Sequence, residues 1–188
     1  MARYVFLDRD GTINLELPNY VQRREQFEFL PGALEALRLL RENGFRVFVI
    51  TNQSCVARDI VSEETVRDVN RLMCEEVEKS GGKIDRVYFC PHAPEVSDCE
   101  CRKPKSGLYV QAAREFGFDP AGAYSIGDDA RDLKPGRALG GTVLLVKTGK
   151  SASYVEGMWD FEPDFTAENI LGAAKKIIEI ETGPGRTK

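Results

Sequence analysis

With 188 residues, 42% hydrophobic and 30% charged, the chain suits one domain that buries roughly 70% of the surface its unfolded form exposes. A net charge of -4 argues against a broad nucleic-acid interface, which needs a basic face, but leaves room for a local basic pocket. No run approaches the roughly 18 apolar residues that cross a bilayer, no charged leader precedes the first apolar run, and the five cysteines cannot all pair, so the expected compartment is the cytoplasm.

Residues 5–7, Val-Phe-Leu, are short, aromatic and β-branched and read as a buried strand. Asp8-Arg9-Asp10-Gly11-Thr12 follows directly. Residues i and i+2 of an extended segment face the same way, so Asp8 and Asp10 should share one cavity. They stand at the carboxyl end of the strand, where open α/β sheets bind ligands. Each carboxylate disfavours the other's charge. A hard cation such as Mg2+ resolves that conflict and also suits a phosphate substrate. A surface turn would explain the glycine, but not two acids directly behind a buried strand.

Pro31, the stripe Leu34, Leu37 and Leu40, and Gly44 predict a first helix. The second strand, at 47–50, ends in Thr51, Asn52, Gln53 and Ser54. These four hydrogen-bonding side chains suit phosphate oxygens and sugar hydroxyls; an ordinary polar strand exit is the competing reading. Ser62 can cap the second helix, with Glu63 and Glu64 at the positive end of its dipole and Val66, Val69, Met73 and Val77 inward.

The third strand, at 87–90, leads into Cys90, His92, Cys99 and Cys101. Three thiols and the chain's only imidazole form a closed tetrahedral donor set of the kind that holds structural zinc. Cys55 and Cys74 read as buried or incidental thiols. Arg102 and Lys103 follow the last donor. Lys103 is expected to neutralise a transferring phosphoryl group and Arg102 to recognise the substrate, while Lys105 reads as surface.

A third helix is predicted near 108–116 and a fourth strand at 123–126. That strand runs into Gly127, Asp128, Asp129 and, further on, Asp132. Asp128 is the natural third metal contact; Asp132 can bond the Asp128 backbone, cap a helix or join the metal. A fourth helix near 133–139 contains Pro135, a fifth strand lies at 143–146 and a last helix at about 168–180. The expected fold is therefore α/β: a Rossmann-like parallel sheet with helices on both faces. One domain should cover 1–182, followed by a polar tail at 183–188.

Together, DxDGT at 8–12, Thr51, Lys103 and GDxxxD at 127–132 resemble the haloacid dehalogenase superfamily of phosphatases over nearly the whole chain. The resemblance implies that Asp8 is the nucleophile and Asp10 the general acid and base. It also implies that Asp128 binds Mg2+ with Asp8 and the Asp10 backbone carbonyl. FLDRDGTIN, TNQS and the CxH…CxCRKP loop look like the D-glycero-D-manno-heptose 1,7-bisphosphate phosphatases, close to the histidinol-phosphatases. In those subfamilies a zinc-stapled loop near the active site stands in place of a large cap domain.

Asn14 and the TNQS form lean toward the heptose branch. Three positions depart from the pattern: Cys55 after Ser54, Asp59 after Arg58, and Asp129 where some relatives have Lys. Asp129 would either join the Mg2+ shell or repel a second substrate phosphate. The expectation is Mg2+-dependent hydrolysis of a small phosphate monoester through an aspartyl phosphate, foremost the 7-phosphate of the heptose bisphosphate. Histidinol phosphate or another sugar phosphate are the alternatives, and a non-catalytic sugar-phosphate-binding protein is the remote one. A small phosphorylated sugar is the expected partner, with no nucleic acid, no membrane and a monomeric state.

Overall fold

The computed structural model describes residues 3–183; beyond Gly183, the expected polar tail lies outside them. Six parallel strands form one sheet in the order β3-β2-β1-β4-β5-β6. They are β1 (Arg3–Leu7), β2 (Phe45–Asn52), β3 (Arg86–Cys90), β4 (Tyr124–Gly127), β5 (Thr142–Val146) and β6 (Phe165–Ala167). Five of the six coincide with predicted strands. β6 did not announce itself, because a three-residue edge strand with no fully buried side chain carries no readable alternation.

Alternate residues of each strand supply two cores. On one face Val5, Leu7, Val47 and Val49 pack against α1 (Ala33–Glu42), α2 (Glu63–Lys79) and α5 (Ile170–Thr182). On the other, Phe6, Phe48 and Ile50 meet α3 (Gly107–Phe116), and Val143 and Leu145 meet Leu133 of α4 (Ala130–Ala138). Helices therefore cover both faces, as the alternation of strands and helices predicts.

Helix boundaries follow their caps. Pro31 stays outside α1, which starts after Gly32, and its inward stripe is Ala33, Ala36, Leu37 and Leu40, with Leu34 only partly buried. Ser62 caps α2 by accepting from the Thr65 amide, and all four predicted apolar residues are buried. α4 begins three residues earlier than expected because Asp129 caps it, accepting from the Arg131 amide at 2.9 Å. Pro135 consequently falls inside that helix. The chain passes from β1 to the neighbouring β4 only after building β2 and β3 on the other side, so the carboxyl ends of β1 and β4 form the topological switch point of the sheet.

Candidate active site

At that switch point the strand exits close around a buried ion pair. Asp8 prolongs β1 by one residue, its amide donating to the Ile126 carbonyl of β4 at 3.0 Å. Lys103 Nζ lies 2.5 Å from Asp8 Oδ1, 2.7 Å from Asp132 Oδ1 and 2.7 Å from the Ile50 carbonyl oxygen. Its side chain is 1% exposed. Burial opposes the ammonium charge, but Asp132 and Asp8 outweigh burial and raise the pKa. Asn52 accepts from the Lys103 amide and donates to the Lys103 carbonyl, both at 3.1 Å. That pair of bonds fixes the lysine's backbone, so Asn52 orients Lys103 while also lining the pocket.

Asp8, Asp128 and Asp132 each present a carboxylate oxygen within 4.8 Å of the other two, and all three residues are buried. Burial, and then the neighbouring Asp132, pushes the Asp8 pKa up to about 7; burial, and then Asp8, pushes Asp128 up to about 8. An all-oxygen donor set under mutual repulsion is what a hard divalent cation relieves, so these residues fit Mg2+. Asp129, the further metal candidate from sequence, is engaged elsewhere: its carboxylate caps α4 and pairs with Arg131 through Nε at 3.1 Å and Nη2 at 2.8 Å. Asp132 stands in the acidic cluster instead.

The loop after β5 completes this corner and was not singled out from sequence. Lys150 donates its amide to Asp128 Oδ2 at 2.7 Å, and the Thr148 hydroxyl donates to the Gly11 carbonyl at 2.6 Å. Gly11 (φ 85°) and Gly149 (φ 53°) flank Asp128 so closely that a Cβ on either would stand 2.4 or 2.2 Å from Oδ2. The available signal was Lys147-Thr148-Gly149-Lys150, a polar run directly behind an apolar strand.

Asp10 faces the same pocket with both oxygens occupied. Oδ1 accepts from Arg9 Nη2 and Asn14 Nδ2, each at 3.0 Å; Oδ2 accepts from Arg9 Nε at 3.2 Å and Gln53 Nε2 at 2.7 Å. Burial alone would raise its pKa, yet Arg9, Asn14 and Gln53 together hold it below the ordinary carboxylate value. Gln53, 1% exposed, also donates to Thr51 Oγ1 at 2.9 Å, so it braces Asp10 and Thr51 rather than presenting itself to the pocket. The Ser54 hydroxyl meets Tyr20 Oη at 3.1 Å, and Arg58 donates to that same phenol at 2.5 Å.

The resulting cavity is about 390 Å³, with Asp8, Asp10, Thr51 and Lys103 among its lining and Arg58, Arg102, Arg131 and Lys150 around them. Beside it, Cys90, His92, Cys99 and Cys101 bring their donor atoms within 4.8 Å of one another. Cys101 Sγ lies 3.2 Å from Cys90 Sγ, 3.3 Å from Cys99 Sγ and 3.2 Å from His92 Nδ1. A three-sulfur, one-nitrogen set of this size fits four-coordinate Zn2+. Cys90 ends β3, and its carbonyl accepts from the Gln53 amide at 2.8 Å, so the cluster is tied to the exit of β2. Arg102 reaches back to the His92 carbonyl at 3.1 Å.

Buried acids at the switch point of a doubly wound sheet mark a ligand site there, and residues 100–173 match the HAD-hydrolase-like family of hydrolases. The chain is 38% identical over 187 residues to D-glycero-beta-D-manno-heptose-1,7-bisphosphate 7-phosphatase of Haemophilus influenzae, covering 94% of this chain and 100% of that protein. It is 37% identical to the D-glycero-D-manno-heptose-1,7-bisphosphate 7-phosphatase of Chlorobaculum tepidum, covering 94% of each. The crystal structure of D,D-heptose 1,7-bisphosphate phosphatase from B. bronchiseptica, complexed with magnesium and phosphate, superposes with a TM-score of 0.88 at 30% identity, covering 95% of this chain and 99% of that one. The chain belongs to the heptose-1,7-bisphosphate 7-phosphatase family of the haloacid dehalogenase hydrolases.

Proposed function

We propose that the protein is a Mg2+-dependent phosphatase that removes the 7-phosphate of D-glycero-D-manno-heptose 1,7-bisphosphate through an aspartyl-phosphate intermediate. The observation that carries this reading is Asp8, held at the switch point by Lys103 at 2.5 Å and opening into the 390 Å³ pocket. Asp8 attacks phosphorus in line, forming an acyl-phosphate bond as the bond from phosphorus to the sugar oxygen breaks. Asp10 gives its proton to the departing oxygen. Arg9, Asn14 and Gln53 hold Asp10 ionised beforehand, so it takes that proton up from solvent as the phosphate dianion arrives beside it and favours the protonated carboxyl. Asp10 then takes a proton from the water that cleaves the acyl phosphate. Lys103 and the Thr51 hydroxyl hold the equatorial oxygens. Mg2+, held by Asp8, Asp128 and the Asp10 main-chain carbonyl, supplies charge neutralisation at those oxygens when bound.

Support for a bisphosphate comes from the pocket's rim. Arg58, Arg102, Arg131 and Lys150 line it, and Arg131 neutralises Asp129, the acid that would otherwise repel a second phosphate. Zn2+ at the four-donor cluster is part of the same reading, ordering the loop that carries Arg102 and Lys103. So is a cytoplasmic location, where free thiols persist, and action as a monomer.

The test compares hydrolysis of heptose 1,7-bisphosphate, histidinol phosphate and simpler sugar bisphosphates in Mg2+. The heptose bisphosphate should give the highest kcat/KM, and Asp8→Asn should lose at least about 10³-fold in kcat. Preference for histidinol phosphate would overturn the substrate, and wild-type turnover by Asp8→Asn would overturn the mechanism.

A further inference from the structure

Among the described residues the largest fully buried side chain is Arg9, the residue between the two catalytic-site aspartates, and it is 1% exposed. A buried guanidinium is tolerated only when its donors are met. Two of its nitrogens fork onto the Asp10 carboxylate, with Nη2 at 3.0 Å from Oδ1 and Nε at 3.2 Å from Oδ2. The third, Nη1, donates at 2.8 Å to Oδ1 of Asn70, which lies 61 positions away on α2 and is 6% exposed. Asn70 faces inward from an otherwise apolar stripe of Val66, Val69, Met73 and Val77.

We infer that Asn70 and Arg9 are positioning residues that set the plane of the Asp10 carboxyl group for proton transfer to the leaving oxygen, which makes helix α2 part of the catalytic frame. A guanidinium is planar and rigid, so fixing Nη1 to the helix fixes the direction of the fork. The fork in turn fixes the carboxyl plane, while Asn14 and Gln53 donate to the same two oxygens, so one of those two amide bonds opens when Asp10 carries the proton. Without Asn70 the arginine still neutralises Asp10 but no longer aims it. General acid catalysis depends on that aim, because proton transfer needs hydrogen-bond reach and alignment with the departing atom.

This rests on the reading of Asp10 as the acid, and leaving-group dependence tests it separately from overall activity. A sugar oxygen departs poorly without a proton, whereas nitrophenolate departs unaided. kcat/KM reports steps up to aspartyl-phosphate formation and so isolates the acid role from later hydrolysis. Asn70→Leu should lower kcat/KM on the sugar phosphate about 10²-fold and on nitrophenyl phosphate less than about 3-fold. Asn70→Asp, which keeps the acceptor, should stay within about 3-fold of wild type on both. Should Asn70→Leu fail to fold, Arg9→Lys carries the test: a point charge keeps the compensation without the fork, and the same asymmetry is expected. Equal losses on both substrates, or no loss on either, would overturn the inference. A wild-type protein inactive on both substrates would instead overturn the underlying function.

Discussion

Asp128 shows most plainly what single residues contribute. Three buried acids lie within 4.8 Å of one another, and burial with mutual repulsion raises Asp8 and Asp128 to about 7 and about 8. Neutralising one of them should stabilise the protein while removing its reason to bind a cation. Asp128→Asn is therefore expected to raise Tm without Mg2+ by about 2 to 4 °C, the shift that ~1 kcal/mol makes in a chain of this length. The same variant should abolish the further rise that Mg2+ gives wild type. Thermal melts with and without Mg2+ check both, and a lower Tm for the variant would refute the repulsion argument. At this scale the sequence was informative about chemistry but not about partners. Asp8, Asp10 and Asp128 were identifiable from residue type and position behind a strand, and Lys103 from its place directly after the last cysteine of the donor set and its arginine. The duties of Asn52, Gln53 and Asp129 were not, because a side chain that looks ready for substrate can equally bond a backbone amide, as Asn52 and Asp129 do, or a neighbouring side chain, as Gln53 does.

The loop between β3 and α3 illustrates the element scale. Cys90 belongs to the sheet, while His92, Cys99 and Cys101 belong to a segment with no helix or strand of its own. The donor cluster and a set of side-chain contacts, among them Arg58 with Glu95 and Asn52 with the Lys103 backbone, hold it, and it delivers Arg102 and Lys103 to the pocket. Metal binding at such a site contributes directly to local order. Cys99→Ser combined with Cys101→Ser should eliminate bound zinc by elemental analysis and cut kcat/KM by at least about 10-fold through misplacement of Lys103. Full activity in that variant would separate the cluster from catalysis. Elements with a strong period, such as α2 with its capping Ser62 and four inward apolar residues, were legible before folding. β6 and the start of α4 were not, since the former is too short for a pattern and the latter is set by a cap competing with a proline.

Across the whole molecule, the pocket is assembled from the exits of several strands, so its occupant should report on the entire fold. Inorganic phosphate at a hundred times its Kd adds about 2.7 kcal/mol to stability, which in Mg2+ should raise Tm by roughly 5 to 10 °C. An unchanged Tm over a phosphate titration would contradict a preformed site. No helix among the described residues is long and apolar enough to cross a membrane. The sequence by itself determined the parallel α/β class, the acids and lysine of the site and the zinc-type donor set, because local periodicity and side-chain chemistry are carried by the chain's covalent order. Only the tertiary structure decided that Lys103 meets Asp8 across 95 positions, that Arg9 leans on Asn70 across 61, and that Asp132 rather than Asp129 joins Asp8 and Asp128. Those choices depend on which strand exits the doubly wound sheet brings together, and on burial that makes every charged group there find a specific partner.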